Sequence, residues 1–212
     1  MLLLEEEKRK LVEGLWGKGI KDENVLKAIY DIHRERFISN ALRKFAYDDN
    51  ALPIVCTQTI SQPFTVAYMT QVLAIKPGDK ILEIGTGSGY QAAVLCKLGA
   101  TVYSVERIEK LYENASVLLP ELGFEVNLKL DDGTLGWEEN APFDKIIVTA
   151  GAPDVPHHLV EQLNIGGKLV IPVGDQQTQR LLEITRTETG IEKKFYDYFK
   201  FVPLIGAEGW KA

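Results

Sequence analysis

Lys80-Ile-Leu-Glu-Ile-Gly-Thr-Gly-Ser-Gly-Tyr90, together with Thr101-Val-Tyr-Ser-Val-Glu106, is the part of the sequence that decides the fold. Apolar runs at 80–84 and 101–105 predict two strands, and the segment 89–98 between them predicts a helix. Three alternating glycines connect the first strand to the helix, and glycine lets a backbone pass close to a ligand because it has no Cβ. This order of elements, ending on an acid, is typical of a site for an adenosine-type cofactor.

The glycine spacing indicates which cofactor fits. Gly85, Gly87 and Gly89 form G-x-G-x-G, whereas dinucleotide sites favour G-x-G-x-x-G. Glu83 precedes the turn, and a carboxylate there would repel a pyrophosphate and attract positive charge. S-adenosylmethionine carries a sulfonium and an ammonium and no phosphate. We therefore expect this cofactor, with Glu106 accepting hydrogen bonds from its ribose hydroxyls.

Composition limits the classes of function. The chain has 212 residues, a net charge of −6 and a pI of about 5.2, which disfavours duplex nucleic acid as a partner. Cys56 and Cys96 do not make a disulfide framework. No apolar stretch approaches the length of a membrane span, and the charged N-terminus lacks a signal layout. The expectation is a cytoplasmic, monomeric protein of one domain that binds neither nucleic acid nor membrane.

The pattern from residue 79 onward predicts a Rossmann-like, doubly wound α/β sheet that is mostly parallel. Segments 180–187 and 194–202 have no helix between them and predict an antiparallel C-terminal edge pair. The remaining predicted strands are 125–130, 144–149 and 168–173, the remaining predicted helices are 108–119 and 156–163, and Gly166-Gly167 is a predicted turn before the last parallel strand.

The first third of the chain predicts an N-terminal helical extension. Helices are expected at 2–16 and 22–33, with Asp22 as N-cap of the second. Residues 34–62 read as irregular, and a helix is expected to begin near Pro63. This divides a single domain into helices and a substrate or lid loop (1–78), a cofactor-binding core (79–174) and C-terminal strands (175–212).

The ends of the predicted strands are polar or small, as a ligand site of this fold requires. Asp131-Asp132-Gly133-Thr134 follows the third strand and Thr149-Ala-Gly-Ala-Pro153 follows the fourth. Asp132 could accept a hydrogen bond from an adenine amino group, and the amide of Gly133 could donate one to a ring nitrogen.

The polar loop Thr57-Gln-Thr-Ile-Ser-Gln-Pro63 leads into the predicted third helix. Ser61 would lie near unpaired N–H groups, which form a ready anion site, or it would be only the N-cap of this helix. His33, His157 and His158 have no nucleophile partner arranged by sequence. No spacing typical of metal ligands is present, and no metal is expected.

These residues resemble the protein-L-isoaspartate O-methyltransferase family from about residue 30 to residue 206. The resemblance rests on eight blocks of sequence: Ala46–Pro53, Gln58–Pro63, Leu82–Gln91, Val102–Arg107, Asp132–Thr134, Asp144–Thr149, Leu169–Gly174 and Phe201–Leu204. The glycine motif is common among methyltransferases, and its combination with Thr-Ile-Ser-Gln-Pro and Val-Pro-Leu is specific to this family.

The resemblance implies methyl transfer from S-adenosylmethionine to the α-carboxylate of L-isoaspartyl residues in damaged proteins and peptides, with S-adenosylhomocysteine as product. It implies Ser61 as the catalytic and carboxylate-binding residue, with Val202, Pro203 and Leu204 binding the substrate peptide. The implied cofactor residues are Thr57, Gln58, Thr59, Ile60, Glu83, Gly85, Thr86, Gly87, Ser88, Gly89, Glu106, Arg107, Asp132, Gly133 and Thr149.

Two positions depart from the family pattern: Asp131 replaces a usual glycine, and Gly151 replaces a common alanine. Two other functions stay open, a methyltransferase of a small carboxylic acid and a catalytically silent cofactor-binding interaction module; a hydride-transfer enzyme fits less well. Retention of Ser61 argues against the silent module.

Overall fold

The computed structural model describes residues 2–211. Within this range the chain forms six helices, which are α1 (Leu2–Gly17), α2 (Glu23–Asp31), α3 (Pro63–Leu73), α4 (Tyr90–Lys97), α5 (Glu109–Glu121) and α6 (His157–Glu161). The strands are β1 (Leu52–Pro53), β2 (Thr59–Ile60), β3 (Lys80–Ile84), β4 (Thr101–Glu106), β5 (Val126–Leu130), β6 (Phe143–Val148), β7 (Leu163–Gly174), β8 (Gln179–Thr187) and β9 (Gly190–Phe199).

The main sheet has seven strands in the order β5-β4-β3-β6-β7-β8-β9. The five strands from β5 to β7 are mutually parallel, and β8 and β9 are antiparallel to their neighbours. The predicted fold class is therefore confirmed, including the antiparallel C-terminal edge. The carboxyl ends of β3, β4 and β6 lie side by side, which is where this architecture places ligands.

The N-terminal helices agree with the sequence pattern. The carboxylate of Asp22 accepts hydrogen bonds from the N–H groups of Asn24 (2.9 Å) and Val25 (3.2 Å), which confirms the predicted N-cap of α2. The region 34–62 is irregular as expected, although it contains three short 3₁₀ turns and the two-residue hairpin of β1 and β2.

The predicted turn at Gly166-Gly167 is wrong, because both glycines lie inside β7. Pairing of β6 with β7 jumps from Phe143–Leu163 to Lys145–Lys168, so the intervening residues bulge. Gly166 has φ +79°, a conformation that glycine adopts without strain. The glycine pair therefore lets the strand continue past the bulge.

The last strand also differs from the prediction of 194–202. β9 ends at Phe199, and the chain then leaves β8. The carbonyl of Val202 accepts a 2.8 Å hydrogen bond from the N–H of Gly151 instead. This exchange of partners carries residues 202–204 to the carboxyl end of β6.

Both faces of β3 are covered, as expected for a central parallel strand. Ile81 packs in the apolar cluster that includes α1 to α4, while Leu82 and Ile84 belong to the cluster on the opposite face. None of the helices in residues 2–211 combines the length and apolar character needed to cross a membrane. The division of the chain at residues 78 and 174 stays a prediction.

Candidate cofactor and substrate site

The glycine-rich turn after β3 adopts a backbone that glycine alone accommodates easily. Gly85, Gly87 and Gly89 have φ of +94°, +55° and +85°, values that residues with a Cβ rarely adopt. A Cβ on Gly85 would also lie 2.6 Å from Oγ1 of Thr149. That hydroxyl donates toward the carbonyls of Ile84 (2.9 Å) and Gly85 (2.7 Å), so it fixes the turn to the end of β6.

Glu106 at the end of β4 faces the same turn. One of its carboxylate oxygens accepts a 2.9 Å hydrogen bond from the N–H of Gly87, and the other accepts a 2.9 Å bond from the N–H of Ile108. The side chain is buried yet borders the cleft. Each oxygen keeps acceptor capacity, so a vicinal diol can be bound by this carboxylate.

The turn and Glu106 border a solvent-open cleft with about 920 Å³ of empty space. The structure brings most of the predicted site residues together here; they are Gln58, Thr59, Ile60, Ser61, Gly85, Thr86, Gly87, Ser88, Glu106, Arg107, Gly133, Thr149, Val202, Pro203 and Leu204. Thr57, Glu83, Gly89 and Asp132 do not line it.

Sequence reasoning missed the apolar walls of the cleft. The additional lining residues are Val66, Ile84, Tyr90, Gln91, Val105, Ile108, Leu111, Ala150 and Ile205. Ile108 is the N-cap of α5 and Leu111 lies in its first turn. They follow Glu106 by two and five positions, so their spacing from this residue could have indicated them. Val66 and Ile205 come from remote segments, and the motifs carry no signal for them.

Glu83 lies beneath the turn and is fully buried. Its carboxylate accepts a 2.5 Å hydrogen bond from Ser104, whose hydroxyl is 2.6 Å from that of Thr86. Its second oxygen, Oε1, has no hydrogen-bond partner within residues 2–211. Burial raises the pKa of Glu83 to about 8, a rise that the charge of Glu106 reinforces and the Ser104 hydrogen bond opposes. Glu83 therefore does not line the cleft itself. Hydrogen bonds connect it through Ser104 to Thr86, which does.

Asp132 is already engaged by the C-terminal segment. Its carboxylate accepts hydrogen bonds from Thr134 (N–H at 2.9 Å, hydroxyl at 2.7 Å) and from the N–H of Ala207 at 2.7 Å. The neighbouring Asp131 pairs with Lys129 at 2.9 Å, which lowers the pKa of Asp131. The extra charge at the position of the usual glycine is thus balanced on the surface.

Two other predicted residues lie just outside the cleft. Gly89 is the N-cap of α4, and a Cβ there would lie 3.2 Å from the side chain of Leu119. Thr57 follows Cys56 at the tip of the β1–β2 hairpin, and both have positive φ, 58° and 59°. This is a strained conformation for residues other than glycine.

The structure excludes the interpretation of Ser61 as the N-cap of α3. The N-cap position of α3 is occupied by Gln62, whose side chain makes no capping bond. The N–H of Phe64 donates at 2.7 Å to the carboxylate of Asp49, which comes from a distant loop. Ser61, half-buried on the wall of the cleft, is therefore not the cap of this helix.

Residues 202–204 form a short parallel bridge with Gly151. The N–H of Gly151 donates to Val202, and its carbonyl accepts from the N–H of Leu204, both at 2.8 Å. In such a bridge the residue between, Pro203, directs its carbonyl away from Gly151. Gly151 itself has little space, because a Cβ there would lie 2.8 Å from Cδ of Gln179.

Comparison with known proteins gives one consistent result. The family model described as protein-L-isoaspartate(D-aspartate) O-methyltransferase matches residues 6–209. A protein-L-isoaspartate O-methyltransferase of Flavobacterium psychrophilum is 53% identical over 199 residues, which cover 93% of each chain. One of Chlorobium limicola is 51% identical over 203 residues, which cover 95% of this chain and 94% of the relative.

Solved structures agree with the sequence relatives. A protein-L-isoaspartate O-methyltransferase superposes with a TM-score of 0.86 at 30% identity, covering 95% of this chain and 67% of the other. A Plasmodium falciparum structure, provisionally described as the same enzyme and solved with S-adenosyl-L-homocysteine, gives a TM-score of 0.81 at 28% identity, with coverage of 92% and 97%. The chain described here belongs to the protein-L-isoaspartate(D-aspartate) O-methyltransferase family.

Proposed function

We propose that the cleft binds S-adenosylmethionine, with the adenosyl group between Glu106 and the apolar residues that follow it. The turn of Gly85, Gly87 and Gly89 has positive φ throughout, and a Cβ on Gly85 would collide with Thr149. The turn therefore carries no side chains at these three positions, and its backbone is open to a ligand. Glu106, held by two N–H groups, presents acceptors for the ribose diol. Gly133 also lines the cleft, and its N–H is available to the adenine ring. A side chain is not tolerated at this position, since a Cβ would lie 2.6 Å from Ile84.

Bound S-adenosylmethionine supplies an electrophilic methyl group on a sulfonium centre. The acceptor is the α-carboxylate of an L-isoaspartyl residue, which is ionised at neutral pH, so the protein needs to supply no strong base. Ser61 donates a hydrogen bond to one carboxylate oxygen and leaves the other free to attack. Most of the rate then comes from holding nucleophile and methyl group in line and excluding water.

The substrate backbone lies along residues 202–204. The carbonyl of Val202 and the N–H of Leu204 are already bonded to Gly151 on the inner edge of this segment. A peptide can therefore bind only along the outer edge. There the segment offers the carbonyl of Pro203, and it offers no N–H because proline has none. A peptide bound this way donates its own N–H, which requires no particular side chain. This arrangement suits an enzyme that must accept damaged sites in many sequences.

A second groove continues from the cleft and shares Thr59, Ser61, Thr149 and Val202 with it. The residues that line this groove include four aromatic side chains and an exposed cation, namely Phe64, Tyr198, Phe199, Phe201 and Lys200. We place residues that flank the isoaspartyl site in this groove, because Ser61 lines both the groove and the cofactor cleft.

The observation that carries the proposal is the position of Ser61, which faces the cofactor cleft and the second groove and is not the cap of α3. The test is a labelled methyl-transfer assay with an isoaspartyl peptide and its aspartyl twin. Methylation of the isoaspartyl peptide alone is expected. Equal methylation of both peptides, or of free small carboxylic acids in preference, would favour a small-acid methyltransferase, and cofactor binding without turnover would favour a silent module.

Four expectations from the sequence stay predictions. These are a monomeric state, a cytoplasmic location, the lack of nucleic-acid binding and the lack of membrane binding.

A further inference from the structure

A cluster of two histidines and a glutamate lies outside the cleft, where the C-terminal segment meets α6. The ligand atoms of His157, His158 and Glu208 all lie within 4.8 Å of one another. Nδ1 of His158 is 2.7 Å from the carboxylate of Glu208, and the His158 N–H also donates to that carboxylate at 3.3 Å. Fifty residues separate these partners in sequence, so no local spacing indicates the cluster.

We propose that His157, His158 and Glu208 form a binding site for a divalent transition metal, with Zn²⁺ as the best-matched ion. Imidazole nitrogen and carboxylate oxygen are regular zinc ligands, and three protein ligands leave a fourth position for water. In a tetrahedral site with bonds of about 2.0–2.1 Å, ligand atoms are roughly 3.3 Å apart. The three side chains are partly exposed, at 72%, 47% and 27%, so they can close the remaining distance without moving packed residues.

The surroundings of the cluster support metal binding. The carboxylate of Glu161 lies 3.5 Å from Nε2 of His157. With Nδ1 as the zinc ligand, this carboxylate would stand where zinc-bound histidines usually have an outer partner. The N–H of His158 holds the Glu208 carboxylate beside the imidazoles.

The position of the site connects it to the cleft. Glu208 belongs to a segment in which Ile205 lines the cleft and Ala207 binds Asp132. A metal bound to Glu208 and α6 would fasten this segment from its outer side.

The test is a zinc titration of the full chain, measured by calorimetry near pH 7.5. The chain is first stripped of metal with a chelator, which is then removed. We expect one ion per chain. His158→Gln and Glu208→Gln should each weaken binding by at least about tenfold, since each removes one of three ligands. His33→Gln is the matched control, because His33 also contacts a carboxylate, that of Glu35 at 3.0 Å, in another part of the molecule; it should bind zinc like the unmodified chain.

Two further measurements keep the result decisive. Cys56 is an exposed thiol, so Cys56→Ser must bind zinc as the unmodified chain does. Co²⁺ should give the strong visible absorption of tetrahedral coordination in the unmodified chain and lose it in Glu208→Gln, a variant that keeps both histidines. Thermal melting in chelator verifies that every variant is folded. Zinc affinity that is equal in the unmodified chain, His158→Gln and Glu208→Gln, or no measurable binding at all, would overturn the proposal.

Discussion

The carboxylate of Asp49 accepts a 2.7 Å hydrogen bond from the backbone N–H of Phe64, fifteen residues later in the chain. The carbonyl of Asp49 also accepts from the side chain of Gln62 at 2.9 Å. These two bonds fix the start of α3, immediately after Ser61, to the loop 46–50. Asp49 thereby does for this helix what an N-cap side chain usually does from within the helix sequence.

Asp49→Ala should lower the free energy of unfolding by about 1 kcal/mol, the usual cost of losing a helix cap. It should also lower kcat/KM for isoaspartyl peptide, because Ser61 loses its fixed position. Denaturant unfolding and steady-state kinetics measure the two effects. Asp49 also pairs with Lys18 at 2.6 Å, so Lys18→Ala is the control: it removes this exposed ion pair, worth under about 1 kcal/mol, and an ammonium 5.9 Å from the Phe64 ring, and it leaves the capping bond in place. The same loss of activity in Lys18→Ala would show that capping is not the cause.

Ser61→Ala should reduce kcat/KM for isoaspartyl peptide by roughly tenfold or more, the size expected for one hydrogen bond to a charged group. Since Gln62 occupies the N-cap position, the melting temperature should change little. Ser116 lies on the exposed face of α5, where its hydroxyl donates to the carbonyl of Glu113 at 2.8 Å. Ser116→Ala is therefore the matched serine control and should keep full activity. A Ser61→Gly variant with normal turnover would remove the catalytic role, because glycine lacks the hydroxyl.

Glu106→Ala should weaken binding of S-adenosylmethionine and S-adenosylhomocysteine alike, because both carry the same ribose. A charge-assisted hydrogen bond contributes roughly 1.5–3 kcal/mol, which corresponds to about 10-fold to 150-fold in Kd. Calorimetry with S-adenosylhomocysteine measures the change, and Glu109→Ala, three residues along on the exposed start of α5, is the control. An unchanged Kd in a folded Glu106→Ala variant would place the ribose elsewhere.

The buried Glu83 should make stability depend on pH. Its pKa in the folded protein is raised to about 8 from a usual 4.5, mainly by burial, so between these values the folded chain keeps a proton that the unfolded chain has lost. The stabilisation is complete below about pH 4.5 and is lost as the pH rises through about 8. The slope is at most roughly 1.4 kcal/mol per pH unit.

Glu83→Gln isolates this effect, because glutamine carries no charge and can still accept the hydrogen bond from Ser104. Denaturant unfolding from pH 5 to pH 9 should show stability that falls more steeply in the unmodified chain than in this variant. Parallel curves for the two proteins would mean that Glu83 is ionised in the folded state throughout this range.

Several features could be read from local sequence. The strands β3 and β4, the turn of Gly85, Gly87 and Gly89, and the acid at 106 follow from short-range periodicity and from the backbone freedom of glycine. Asp22 as a cap is equally local, since a carboxylate two or three residues before an N–H can reach it. The bounds of β7 and β9 were predicted incorrectly because they depend on neighbouring strands. Gly166 lies in a bulge of β7 opposite β6, and Val202 is hydrogen-bonded to Gly151 and not to β8.

The sequence by itself determined the doubly wound sheet, the position of the cofactor turn and the family to which the chain belongs, because these rest on residue types at short spacing. Only the tertiary structure decided the capping of α3 by Asp49, the burial of Glu83 beneath the turn and the engagement of Asp132 by Ala207. The same holds for the meeting of Glu208 with the histidines of α6. Each of these contacts joins segments that are distant in sequence, and a hydrogen bond or a desolvated carboxylate depends on where packing brings the partner, which local periodicity does not encode.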